Sequence, residues 1–170
     1  METLEQSEDL LTNQQTPSNF HFGRMEPNVI AMRWDSLKPY IQRPWENNAN
    51  INQEMFNNLL AGCVDGYVQC WVAVEIDEKN LMPRVIGILM TTFSVDVFSM
   101  QKNLLVYSMT IADKGMSPVK WRQCFEQLKG FASQNGCKSI VTFSKVPEVI
   151  KLAQLLKADV SHTFIQWSVV

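Results

Sequence analysis

The chain has 170 residues, 46% of them apolar and 19% charged, and a formal net charge of −2. That length supports one domain with a real core, and that composition excludes a disordered chain. A near-neutral, slightly acidic balance lacks the basic footprint of a nucleic-acid binder, so no nucleic-acid partner is expected.

Residues 1–27 are rich in Gln, Asn, Glu, Ser and Thr. They read as a disordered N-terminal tail, with Leu10, Leu11, Phe20 and Phe22 as its apolar anchors. A single domain is expected over residues 28–170. Asn28 to Met32 reads as a first strand. Asp35 reads as the cap of a first helix with Leu37, Tyr40 and Ile41 inward, stopped or kinked at Pro44. Asn52 is placed to cap a second helix, in which Met55, Phe56, Leu59 and Leu60 recur at helical spacing. Gly62 reads as its C-cap and Asp65-Gly66 as a turn.

Over residues 67–77, Val68, Cys70, Val72, Val74 and Ile76 alternate with Tyr67, Gln69, Trp71, Ala73 and Glu75, which predicts a strand with one firmly apolar face. Residues 85–95 and 103–111 read as the next two strands. Ser117 then caps a helix with Pro118 in its first turn, and Trp121, Cys124, Phe125, Leu128 and Phe131 follow along one face. Asn135-Gly136 closes it. Residues 137–143 read as a strand. Pro147 opens a helix with Ile150, Ala153 and Leu156 on one face, and residues 161–170 read as a closing strand. The predicted order is β-α-α-β-β-β-α-β-α-β, an α+β (mixed α/β) arrangement with helices on both faces of one sheet.

The four cysteines, Cys63, Cys70, Cys124 and Cys137, form no C-x-x-C pair, and His21 and His162 are the only histidines. No metal site is expected, and the thiols read as reduced core residues. No apolar run is long enough to span a membrane, and the N-terminus has neither the basic start nor the apolar stretch of a signal peptide. A soluble, cytoplasmic protein is expected.

The segment from Ala112 to Ser117 is a short Gly-containing turn between a strand and a helix. Backbone amides and the positive end of a helix dipole favour an anion at such a turn. Turn and element order together resemble the GNAT superfamily of acyl-CoA N-acyltransferases, over roughly residues 28–170. The resemblance implies a central mixed sheet of about six to seven strands. It also implies that the turn holds the pyrophosphate of coenzyme A. Gly115 matches the first glycine of the family turn, and Ser117 stands where Gly or Ala is usual. Ala112 stands where Gln or Arg is usual, Asp113 adds a negative charge, and Pro118 removes an amide. Lys114, Lys120 and Arg122 supply cations. Met109, Ile111, Lys114, Gly115, Met116, Ser117 and Lys120 are the cofactor-binding residues that the resemblance implies, with acetyl-CoA or another acyl-CoA as ligand.

The family's usual tyrosine acid falls at Ala153 or Gln154, so this chain lacks it. Amine acylation needs a proton acceptor. Glu75, on the polar face of its strand, and Asp113 are the candidate bases; Tyr107 and its neighbour Ser108 are candidate donors. The plainer readings are a solvated Glu75, a packed Tyr107, a surface His162 and a core Cys124. Two functions are expected to compete. One is N-acyl transfer from acyl-CoA to an amine on a small molecule or a protein. The other is a catalytically inactive binding or structural module on the same fold, of the kind a virus or mobile element carries. Trp34, Trp45, Trp71 and Trp167 read as interface residues for a protein partner. A homodimer through an edge strand is the remaining expectation.

Overall fold

The computed structural model describes residues 19–45, 52–76, 81–112, 116–144 and 146–161. The elements are β1 (Phe20–Arg24), α1 (Pro27–Gln42), α2 (Gln53–Val64), β2 (Val68–Ile76), β3 (Pro83–Val95), β4 (Lys102–Ile111), α3 (Pro118–Gln134), β5 (Ser139–Thr142) and α4 (Pro147–Leu155), with a 3₁₀ turn over Arg43–Trp45. Among the described residues five strands form one mixed sheet in the order β1-β2-β3-β4-β5. The first three pairings are antiparallel, and β4 and β5 are parallel. The count is lower than the six to seven expected; of the expected closing strand, residues 162–170 lie outside the described residues.

The first strand is not Asn28 to Met32, which belong to α1. Ile30, Trp34, Leu37 and Ile41 are its buried residues, and their three- and four-residue spacing is helical. Pro27 sits in the first turn, where its missing N–H costs nothing. Asp35 lies in mid-helix instead of capping it. The first strand is Phe20–Arg24, inside the stretch read as a tail, with Phe20 and Phe22 buried in the core. Asn52 does cap α2, its side chain accepting from the Met55 N–H. That helix runs through Gly62 to Val64, and the left-handed residue of the turn is Gly66 at φ 80°.

Each face of the sheet carries its own core. On one face, α1 and α2 pack Ile30, Trp34, Leu37, Ile41, Phe56 and Cys63 against Cys70, Ile88 and Met90. On the other, α3 packs Cys124, Leu128 and Ala132 against Phe20, Phe22, Trp71, Ala73, Ile86, Leu89 and Leu104. Trp34 and Trp71, read as interface residues, are therefore buried core. The sheet breaks register twice. Ala73 pairs with Gly87 but Val74 with Val85, leaving Ile86 extra in β3. Met90 pairs with Ser108 but Thr91 with Val106, leaving Tyr107 extra in β4.

Candidate functional site

The second irregularity sets up the site. β5 pairs with β4 only from Asn103 opposite Ser139 to Val106 opposite Thr142, while β4 continues to Ile111. An extra residue bends its strand and increases the twist. β4 thus leaves β5 at Tyr107. A cavity of about 160 Å³ opens there, walled by Val106, Met109 and Ile111 of β4, Trp121, Cys124 and Phe125 of α3, Ile140 of β5, Leu152 and Ala153 of α4, and Leu156 just past its end. The α3 residues were legible as an apolar helix face; that they line a cavity was not.

The Ala112 N–H donates to the Ile86 carbonyl at 2.9 Å. Alternation along the strand turns the Thr110 amide toward β3 as well, and the Met109 and Ile111 amides toward the opposite edge. Among the described residues no strand pairs with that edge beyond Val106. The Thr110 hydroxyl donates to the Tyr40 carbonyl at 2.8 Å and ties this end of β4 to α1.

At the start of α3, Ser117 is the N-cap, its hydroxyl accepting from the Lys120 N–H at 3.4 Å, and Pro118 follows in the first turn. Met116 lines the cavity. Asp113, Lys114 and Gly115 lie outside the described residues. Lys120 and Glu75 are brought to each other: the ammonium lies 2.6 Å from one carboxylate oxygen and 5.6 Å from the Phe20 ring centre. Arg84 reaches the other oxygen at 2.9 Å. The hydrogen bond from Lys120, then that from Arg84, holds the Glu75 carboxyl below the usual range, which makes it a poor proton acceptor.

Glu75 and Tyr107 are not brought together. Tyr107 sits beside Met90 and Thr91, whose β2 partners are Cys70 and Gln69. Glu75 is five positions further along, about 17 Å at the rise of a strand. Tyr107 is 52% exposed and is not part of the cavity wall.

No Asp, Glu, Lys, Arg or His among the described residues lines the cavity. The one ionisable side chain among the described residues of the wall is Cys124, whose thiol burial pushes up to about 12. In the folded protein at pH 7, Cys124 should alkylate about a thousandfold more slowly than a free cysteine, since the thiolate is the reactive form. Peptide mass spectrometry after iodoacetamide treatment, native against unfolded, measures this. Among the described residues no group of three or more His, Cys, Asp or Glu is placed to hold a metal ion, and no helix is long and apolar enough to cross a membrane.

No protein-family model and no curated protein sequence matches the chain. Solved structures do match. An aminoglycoside acetyltransferase from an uncultured soil metagenomic sample, in complex with sisomicin, aligns over 89% of this chain and 96% of its own, with TM-score 0.67 and 11% identity. The fold is that of the GNAT acetyltransferases. A predicted acetyltransferase from Clostridium acetobutylicum, solved with acetyl-CoA, aligns over 88% of this chain and 96% of its own, with TM-score 0.64 and 10% identity. The acetyltransferase AAC(6′)-Iy, in complex with the bisubstrate analogue CoA-S-monomethyl-acetylneamine, aligns over 89% and 98%, with TM-score 0.64 and 10% identity. Ala153, one of the two positions where the GNAT tyrosine is expected, is a wall of the cavity.

Proposed function

We propose that the protein binds an acyl-CoA in the cleft between β4 and β5 and passes the acyl group to an amine. The observation that most supports this is the parting of β4 from β5 beside an apolar cavity. A strand edge with outward amides at Met109 and Ile111 suits a ligand arm that carries amides, because such an arm can add to the edge as another strand would. The start of α3, with Met116 and Ser117, suits its phosphates, and Lys114 and Gly115, just before it in sequence, are our assignment for the rest of that contact.

An acyl-CoA supplies a thioester: a C–N bond forms, the C–S bond breaks, the amine releases a proton and the sulfur takes one up. The chain's part is to hold the reacting groups together and to polarise the carbonyl with strand amides. With Glu75 tied to two cations, Asp113, just past the end of β4, is our assignment for the proton acceptor, acting through water. Tyr107, at the bulge, is our assignment for the donor. Lys120 steadies the start of α3 through Glu75.

The reading of an inactive binding module is favoured by one observation, the lack of any charged or imidazole side chain on the described cavity wall. Thermal shift and calorimetry with acetyl-CoA and with coenzyme A separate the readings. Ligand at 100 times its dissociation constant should add about 2.7 kcal/mol to the fold, roughly 5–10 °C in melting temperature. Gly115→Glu, which adds a carboxylate two residues before the Ser117 cap, should abolish the shift. No shift at millimolar ligand overturns the acyl-CoA reading. A shift with no coenzyme A released in the presence of amines makes the protein the binding module.

A further inference from the structure

The cavity does not stop at the β4–β5 cleft. One row of residues crosses four strands on the α3 face: Ile111 opposite Gly87, Gly87 opposite Ala73, and Ala73 opposite Phe22. All four line the cavity. The two central members are small, and the row ends on the Phe22 ring. Leu89, on the neighbouring row, and Leu128, on α3, also face the space. The result is a trough that runs from the cleft under the sheet for two strand spacings, about 10 Å, before Phe22 closes it. Gly87 is needed for the close approach of the strands: a Cβ there would meet the Thr110 carbonyl at 3.3 Å and the Ala73 Cβ at 3.7 Å.

Protein interiors seldom leave voids larger than a water molecule. An apolar cavity of about 150 Å³ stays dry and takes up benzene. The space here is about 160 Å³, room for some six carbons, and it offers a water almost no polar partners. An acetyl group leaves most of it empty.

We propose that the trough is an acyl-chain pocket, and that the acyl donor carries a chain of about six carbons and not acetyl. The proposal rests on the acyl-CoA reading and names its substrate class. Each buried methylene is worth about fourfold in affinity, and ordering the chain takes back part of that.

The test is a chain-length series measured by calorimetry on the intact protein: coenzyme A, then acetyl-, butanoyl-, hexanoyl- and decanoyl-CoA. Hexanoyl-CoA should bind at least about tenfold more tightly than acetyl-CoA, with no further gain at decanoyl. Ala73→Leu, which fills the trough at its midpoint, should remove that preference and leave acetyl-CoA affinity within about twofold. The series with the unaltered protein decides the matter even if this variant folds poorly. Equal affinity across the series, or a hexanoyl preference that survives in folded Ala73→Leu, overturns the pocket and leaves the acyl-CoA reading standing. No binding of any member, coenzyme A included, overturns both.

Discussion

Replacing Trp71 with alanine is expected to lower the unfolding free energy by about 4 kcal/mol, the range for a large aromatic lost from a core. Trp71 is 4% exposed. Its ring stacks on Phe22 at a centroid distance of 5.5 Å and meets Phe131 edge-on at 5.0 Å. Its Nε1–H donates to the Thr91 hydroxyl at 2.9 Å, which in turn donates to Gln69 Oε1 at 3.0 Å. Gln69 Nε2 completes the chain at the Gly66 carbonyl, 3.0 Å away. Alanine removes the ring from between β1 and α3 and also takes away the donor at the head of this buried network. Phenylalanine keeps most of the stacking and loses only that donor, so Trp71→Phe should cost about 1–2 kcal/mol. Urea denaturation of the two variants checks the ordering. A loss below about 2 kcal/mol for Trp71→Ala would show that the face under α3 collapses to fill the gap.

The alternation in β2 correctly divides its residues between two faces. It does not say what covers each face. Tyr67, Gln69, Trp71, Ala73 and Glu75 read as the wet side because two of them are polar and one is charged. In the fold, α3 covers that side, and Gln69 is buried with its amide satisfied. A strand inside a two-faced sheet loses the clean inside-outside contrast that the pattern relies on. The misplaced first strand has a different cause. Val29 and Ile30 are β-branched and locally favour a strand, while the deciding signal, the spacing from Ile30 to Ile41, spans three turns of helix and overrides the local preference.

The site was legible where it is local. Ser117-Pro118 announces the start of α3 because capping involves only neighbouring residues, and the structure has that cap. The cleft is not local. It depends on an extra residue at Tyr107, which carries no glycine to mark it, and on β5 ending at Thr142. The trough depends on Phe22, Ala73, Gly87 and Ile111 falling in one row, which only the register decides. The partnership of Glu75 with Lys120 joins residues 45 positions apart, beyond the reach of any pattern along the chain.

That partnership makes the second large prediction. Glu75→Gln should destabilise the fold by about 2–3 kcal/mol, because it takes the Glu75 carboxylate, 2.6 Å away, from the Lys120 ammonium, which is 9% exposed and stands at the positive end of a helix. Arg84 is 56% exposed and contributes little by comparison. The pH dependence has a definite sign. The Glu75 carboxyl is held below its usual value of 4.5 in the fold, so its contribution is complete above that value and is lost as pH falls through the folded one. The stability gap between the native sequence and Glu75→Gln should stay constant from about pH 6 to 8 and close in acid. Removing both charges, as Glu75→Gln with Lys120→Met, should recover most of the loss, since a neutral packed pair avoids desolvation of either ion. Failure of the double variant to recover would mean that Glu75 acts chiefly through Arg84 or the strand end. The same double variant tests what Lys120 is for. If the ammonium only anchors the start of α3, coenzyme A affinity should stay within about twofold of the native value. A tenfold loss would instead assign Lys120 to the ligand's phosphates, with Glu75 as the group that positions it.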